Sequence, residues 1–138
     1  MKYNTDNLRI TSSAPIMAPN ELMGQFPLSE KGSVGIFQAR ETIANILAGE
    51  DKRLMVIVGP CSIHDPAAAR DYAQKLVALR EELKEDLFIV MRVYFEKPRT
   101  TIGWKGLIND PDLDESFNID KGLKIARHLL TDISDMNM

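Results

Sequence analysis

Apolar residues along this 138-residue chain change their spacing several times, and each change marks an element. Before residue 33 they come as small islands, Leu8, Ile10, Ile16, Leu22, Met23 and Phe26, separated by Pro, Asn, Ser and Gly. That pattern predicts an irregular extension with a short helix near Pro19 to Phe26. From Ser33 to Leu47 the residues Ile36, Ala39, Ile43, Ile46 and Leu47 fall on one helical stripe, with Gly49 as a carboxyl-terminal cap. Leu54 to Val58 is a continuous apolar run, the pattern of a strand covered on both faces. Asp65 can cap the next helix, Pro66 suits its first position, and Ala69, Tyr72, Ala73, Leu76, Val77 and Leu83 trace one face. Leu87 to Val93 reads as a second buried strand. A long loop follows from Tyr94 to about Glu115, and a last amphipathic helix runs from about Asn118 to Ile133 through Ile119, Leu123, Ala126, Leu130 and Ile133.

This order is α/β. The interval from Cys61 to Arg92 is about one strand-helix-strand unit, which puts the segments after both strands at the carboxyl ends of neighbouring parallel strands. Ligands bind at that edge in open sheets and in barrels. Two strands leave two open edges, which proteins normally pair, cover or blunt. The chain therefore reads either as a small α/β domain or as the front of a (β/α)8 barrel, a fold that takes at least about 200 residues.

Composition narrows the partners. With 44% apolar and 27% charged residues and a net charge of −3, no polyanion-binding surface is expected, so nucleic acid is not a predicted partner. Met1 to Asn20 has no apolar stretch of signal-peptide length and no segment nears the roughly 20 apolar residues of a membrane span, which predicts a cytoplasmic protein with no membrane partner. Cys61 is the one cysteine, so it is a free thiol or a metal ligand.

The chemistry-bearing residues follow the two strands. Arg92, Lys97, Arg99 and Lys105, joined by the hydroxyls of Thr100 and Thr101, suit phosphate or carboxylate recognition. A solvated basic loop is the plainer account. Arg92 weighs against it, because an unpaired guanidinium at a buried strand is costly, and an anion of the protein or of a ligand is expected beside it. Cys61 and His64 make half of a metal site at best, or a nucleophile and base with no evident orienting acid, and an inert thiol is the more ordinary reading. His128 reads as a surface histidine in mid-helix, and Trp104 as a loop anchor.

Three segments carry a resemblance. Gly59-Pro60-Cys61-Ser62-Ile63-His64-Asp65, Arg92-Val93-Tyr94-Phe95-Glu96-Lys97-Pro98-Arg99-Thr100-Thr101 and Gly103-Trp104-Lys105-Gly106-Leu107-Ile108-Asn109-Asp110-Pro111 closely resemble DAHP synthase of the feedback-inhibited bacterial type. The likeness extends to about Ser134, and Asn7-Leu8-Arg9-Ile10 is most similar to the phenylalanine-sensitive isoenzyme. The resemblance implies a metal-dependent (β/α)8 TIM barrel, a homo-oligomer that condenses phosphoenolpyruvate with erythrose 4-phosphate at the entry to the shikimate pathway. Residues 1–50 would then be the extension and its helix, and 51–138 the first βα units of an incomplete barrel.

Carried across by motif, Cys61 becomes a ligand of a divalent metal of the Mn, Fe, Co or Zn type, with His64 an active-site neighbour. Arg92 and Lys97 become catalytic residues that hold phosphoenolpyruvate, while Pro98, Arg99 and Thr100 hold erythrose 4-phosphate. Asp6, Asn7 and Ile10 become part of an inhibitor site for an aromatic amino acid. The family's other metal ligands and phosphate-binding cations lie on later strands, so the chain is expected to be an amino-terminal portion without activity of its own. The related synthase that uses arabinose 5-phosphate fits the Glu96 to Thr101 loop less well. A non-catalytic piece that binds anions or joins intact subunits is the reading of another class.

Overall fold

The elements, in chain order, are helix α1 (Pro19–Gln25), helix α2 (Glu30–Ala48), strand β1 (Leu54–Val58), helix α3 (Pro66–Glu82), strand β2 (Leu87–Met91) and helix α4 (Ile119–Asp135). The computed structural model describes residues 3, 5–10, 12–96 and 103–138. β1 and β2 pair in parallel, with Leu54 opposite Leu87 and Val58 opposite Met91. α3 is the crossover between them, as parallel pairing requires.

Caps explain most of the boundaries. Ser29 accepts the Gly32 N–H at 2.9 Å, so α2 begins at Glu30, ahead of the expected Ser33. Gly49 ends that helix in the left-handed region, φ 76°. Asp65 accepts the Ala67 N–H at 2.8 Å in front of Pro66, and Asn118 accepts the Lys121 N–H at 3.1 Å at the start of α4.

The core lies where α3 and α4 meet β2. Ala69, Ala73 and Leu76 of α3 pack with Ile89 and Met91 of β2 and with Ala126, Leu129 and Ile133 of α4. Two expectations shift here. On α4 the deepest stripe is Gly122, Ala126, Leu129 and Ile133, whereas Leu130 is 39% exposed; adjacent leucines differ by 100° around a helix, and only one can face the sheet. Gly122 fixes that rotation, because a Cβ there would overlap the backbone of Ile108. On the sheet, β1 is not covered on both faces: Leu54 and Ile57 are 65% and 62% exposed. α3 lies against β2 and α2 against β1, but β1 keeps Leu54, Ile57 and Val58 exposed.

The second strand ends at Met91 and not at Val93. The stretch expected as a long loop has its own order, since Glu96 bridges Gly106 in antiparallel fashion and the Leu107 N–H donates to Phe95 O at 3.0 Å. Gly106 sits at φ 107° against the Phe95 carbonyl, where a Cβ would clash. Trp104 is a loop anchor as expected, its Nε1 donating to Asp110 O at 2.7 Å. Leu8, Ile10 and Ile16 of the extension are exposed. No helix among the described residues is long and apolar enough to cross a membrane.

Candidate functional site

Parallel pairing carries the ends of both strands to one place. The ladder continues one step beyond the strands, where the Arg92 N–H donates to Val58 O at 2.8 Å. Gly59 is needed at that crossing, because a Cβ would overlap the Arg92 carbonyl. The chain then turns through Pro60 and Cys61 directly against Arg92.

Arg92 does not meet a carboxylate of the described residues. Its Nη1 donates to Pro60 O at 2.5 Å and to Cys61 O at 2.8 Å, and its guanidinium carbon lies 4.7 Å from the centre of the Tyr94 ring. Nε and Nη2 have no hydrogen-bond partner among the described residues. That leaves one edge of the fork, the geometry that takes a carboxylate or phosphate bidentately, without a protein acceptor there. The expected anion is therefore not met by this part of the chain, and the carbonyl dipoles hold the cation in place without neutralising it.

Cys61 is exposed, as is His64 three residues on. Among the described residues no group of three or more His, Cys, Asp or Glu side chains could hold a metal ion. Cys61 can thus supply a single soft donor, and these residues alone do not complete a metal centre. Lys97, Pro98, Arg99 and Thr100 lie outside the described residues. The structure brings the residues on either side together through the Glu96 and Gly106 bridge. Asp6, Asn7 and Ile10 are exposed and lie on the extension, where the Ile10 N–H donates to Asn7 O at 3.0 Å and Asn7 takes a positive φ of 57°.

Two features escaped the sequence reading. Tyr94 lies under Arg92, and the period of two along extended backbone was the available signal, since residues two apart share a face. Asp110 is only 3% exposed, and its Oδ1, like Oγ of Ser62, has no hydrogen-bond partner among the described residues. Nothing in a polar Asn-Asp-Pro turn signals burial. It arises from Trp104 gripping the Asp110 carbonyl and from the Asp110 N–H donating to Gly106 O at 2.9 Å.

A family model described as the DAHP synthetase I family matches residues 25–138. The chain belongs to that family. The Phe-sensitive phospho-2-dehydro-3-deoxyheptonate aldolase of Escherichia coli is 56% identical over 138 residues, which is all of this chain and 39% of that protein. The phenylalanine-inhibited enzyme of Saccharomyces cerevisiae is 52% identical over 124 residues, 90% of this chain and 34% of the other. A solved structure of phospho-2-dehydro-3-deoxyheptonate aldolase from Francisella tularensis superposes with a TM-score of 0.89 at 51% identity, covering 94% of this chain and 38% of that one. The chain thus spans a little over a third of the length of these members of the DAHP synthetase I family.

Proposed function

We propose that this chain is the amino-terminal portion of a (β/α)8 barrel that condenses phosphoenolpyruvate with erythrose 4-phosphate, yielding 3-deoxy-D-arabino-heptulosonate 7-phosphate and phosphate. The observation that carries this is Arg92, a cation fixed beside Cys61 with one edge of its guanidinium unclaimed among the described residues. The names of the relatives at about half identity support the reaction. Two anionic substrates need several cations to meet, and Lys97 and Arg99 extend the same loop.

In this reading Arg92 and Lys97 hold phosphoenolpyruvate, and Pro98, Arg99 and Thr100 take erythrose 4-phosphate. Cys61 gives one ligand to a divalent metal completed by residues outside this chain, and such a metal supplies Lewis-acid polarisation of the aldehyde. Asp6, Asn7 and Ile10 belong to an arm that serves inhibition by an aromatic amino acid, in line with the Phe-sensitive and Tyr-sensitive names of relatives. The enzyme is a cytoplasmic homo-oligomer. The experiment is an assay of a full-length enzyme that begins with this chain: loss of phosphoenolpyruvate should require erythrose 4-phosphate and added metal. Consumption that is indifferent to the aldose would overturn the reaction. Deleting residues 1–12 should keep activity and remove inhibition, and inhibition left intact would overturn the role of the arm.

A further inference from the structure

Tyr94 is joined to Arg92 through its ring and to the turn that carries Cys61 through its backbone carbonyl. Its ring lies 4.7 Å from the Arg92 guanidinium carbon, within cation–π range. Arg92 in turn holds the carbonyls of Pro60 and Cys61, at 2.5 and 2.8 Å. The Tyr94 carbonyl accepts the Ile63 N–H at 2.7 Å, so the turn from Gly59 to Ile63 is held near both ends by residues two apart on one extended segment. The ring face, and not the hydroxyl, makes the contact with Arg92, for the hydroxyl has no hydrogen-bond partner among the described residues. Phe88 seats the guanidinium of Arg53 in the same way at 5.4 Å, which shows that a plain phenyl ring can fill this role in the same sheet.

We propose that Tyr94 is a positioning residue for anion binding: its ring fixes the plane of the Arg92 guanidinium so that the Nε–Nη2 edge is presented to phosphoenolpyruvate. The proposal rests on the site reading above. A guanidinium on a flexible stem samples many orientations, and a ring on one face with carbonyls on Nη1 removes most of them before the substrate arrives.

The test uses a full-length enzyme that begins with this chain, loaded with metal, with phosphoenolpyruvate binding followed by calorimetry beside steady-state kinetics. Tyr94→Leu should raise the Kd for phosphoenolpyruvate about five- to thirtyfold, the range of a cation–π contact. The kcat and the metal content should stay near the parent values. Tyr94→Phe should restore binding, and Tyr94→Met should repeat the loss if the leucine variant folds poorly, with melting temperatures recorded for each. In an Arg92→Ala background Tyr94→Leu should add nothing. Equal losses for the phenylalanine and leucine variants, a fall in kcat with Kd unchanged, or an undiminished loss in the Arg92→Ala background would each overturn the role of Tyr94. An unmodified enzyme that neither binds nor consumes phosphoenolpyruvate overturns the functional reading itself, before any variant is made.

Discussion

Arg53 and Arg92 occupy opposite ends of the same two-stranded sheet and are held in nearly the same manner, with one difference. Arg53, just before β1, has Phe88 beneath it, donates from Nη1 to Lys84 O at 3.2 Å, and meets the Asp51 carboxylate from Nε and Nη2 at 2.6 to 3.1 Å. Arg92, just after β2, has Tyr94 beneath it and donates from Nη1 to two carbonyls, but finds no carboxylate among the described residues. In the polar cleft at the Arg53 end, about 520 Å³ and lined by Asp51 to Arg53 and Lys84 to Asp86, Arg53 and Lys84 thus already have carboxylate partners, Asp51 and Glu81. The hydrogen bond from Arg53 holds the Asp51 carboxyl below its usual range and raises the guanidinium in return. A cation that the fold positions but does not neutralise is the one available to a ligand.

Removing the proposed metal donor at the Arg92 end should have the largest effect. Cys61→Ala in the full-length enzyme is expected to lose bound metal and all metal-dependent turnover, whereas His64→Ala keeps the metal, as elemental analysis of both purified variants would show. The 138-residue chain alone should show no turnover above a metal-only control, since one donor and one part of the anion site cannot position two substrates.

Next come the cations themselves. Arg92→Ala and Lys97→Ala should cost about one to two decades in kcat/KM for phosphoenolpyruvate, and Arg99→Ala a similar loss for erythrose 4-phosphate, the range of one charge-assisted contact. Equal effects on both substrates would break that division. Tyr94→Glu makes the comparison sharper, because it gives Arg92 the carboxylate that Arg53 already has. Phosphoenolpyruvate binding should then weaken more than with Tyr94→Leu, and a smaller loss would mean that charge at Arg92 is not what the substrate uses.

At the Arg53 end the effect should be smallest and confined to stability. Asp51 has a lowered pKa in the fold, so its contribution is present above its unfolded value, about 3.9, and is lost as pH falls through the depressed folded value. Asp51→Asn should therefore melt slightly below the parent at neutral pH and converge with it in strong acid. Both side chains are only partly buried, at 29% and 21% exposure for Arg53 and Asp51, and solvent screening keeps the difference small. Kinetic constants should not move, and a change in either KM would contradict the claim that this end is structural.

Much of this organisation was legible in local chemistry. Asp65-Pro66 and Gly49 act within one helical turn, so the residues themselves determine where helices begin and end. The two apolar runs and their spacing were enough to predict parallel strands that bring Cys61 and Arg92 together. Other features depend on what packs against what. Leu129 rather than Leu130 is buried because Gly122 lets α4 approach the Ile108 backbone at one rotation, a contact between segments fourteen residues apart. β1 keeps Leu54, Ile57 and Val58 exposed where its sequence reads as covered, since burial belongs to the neighbours a strand has and not to its own residues. Arg92 is the clearest case: its position at a strand end follows from the sequence, but its hold on the Pro60 and Cys61 carbonyls joins residues 32 and 31 positions apart, and only the tertiary fold could decide that those acceptors, and no carboxylate of the described residues, would meet it.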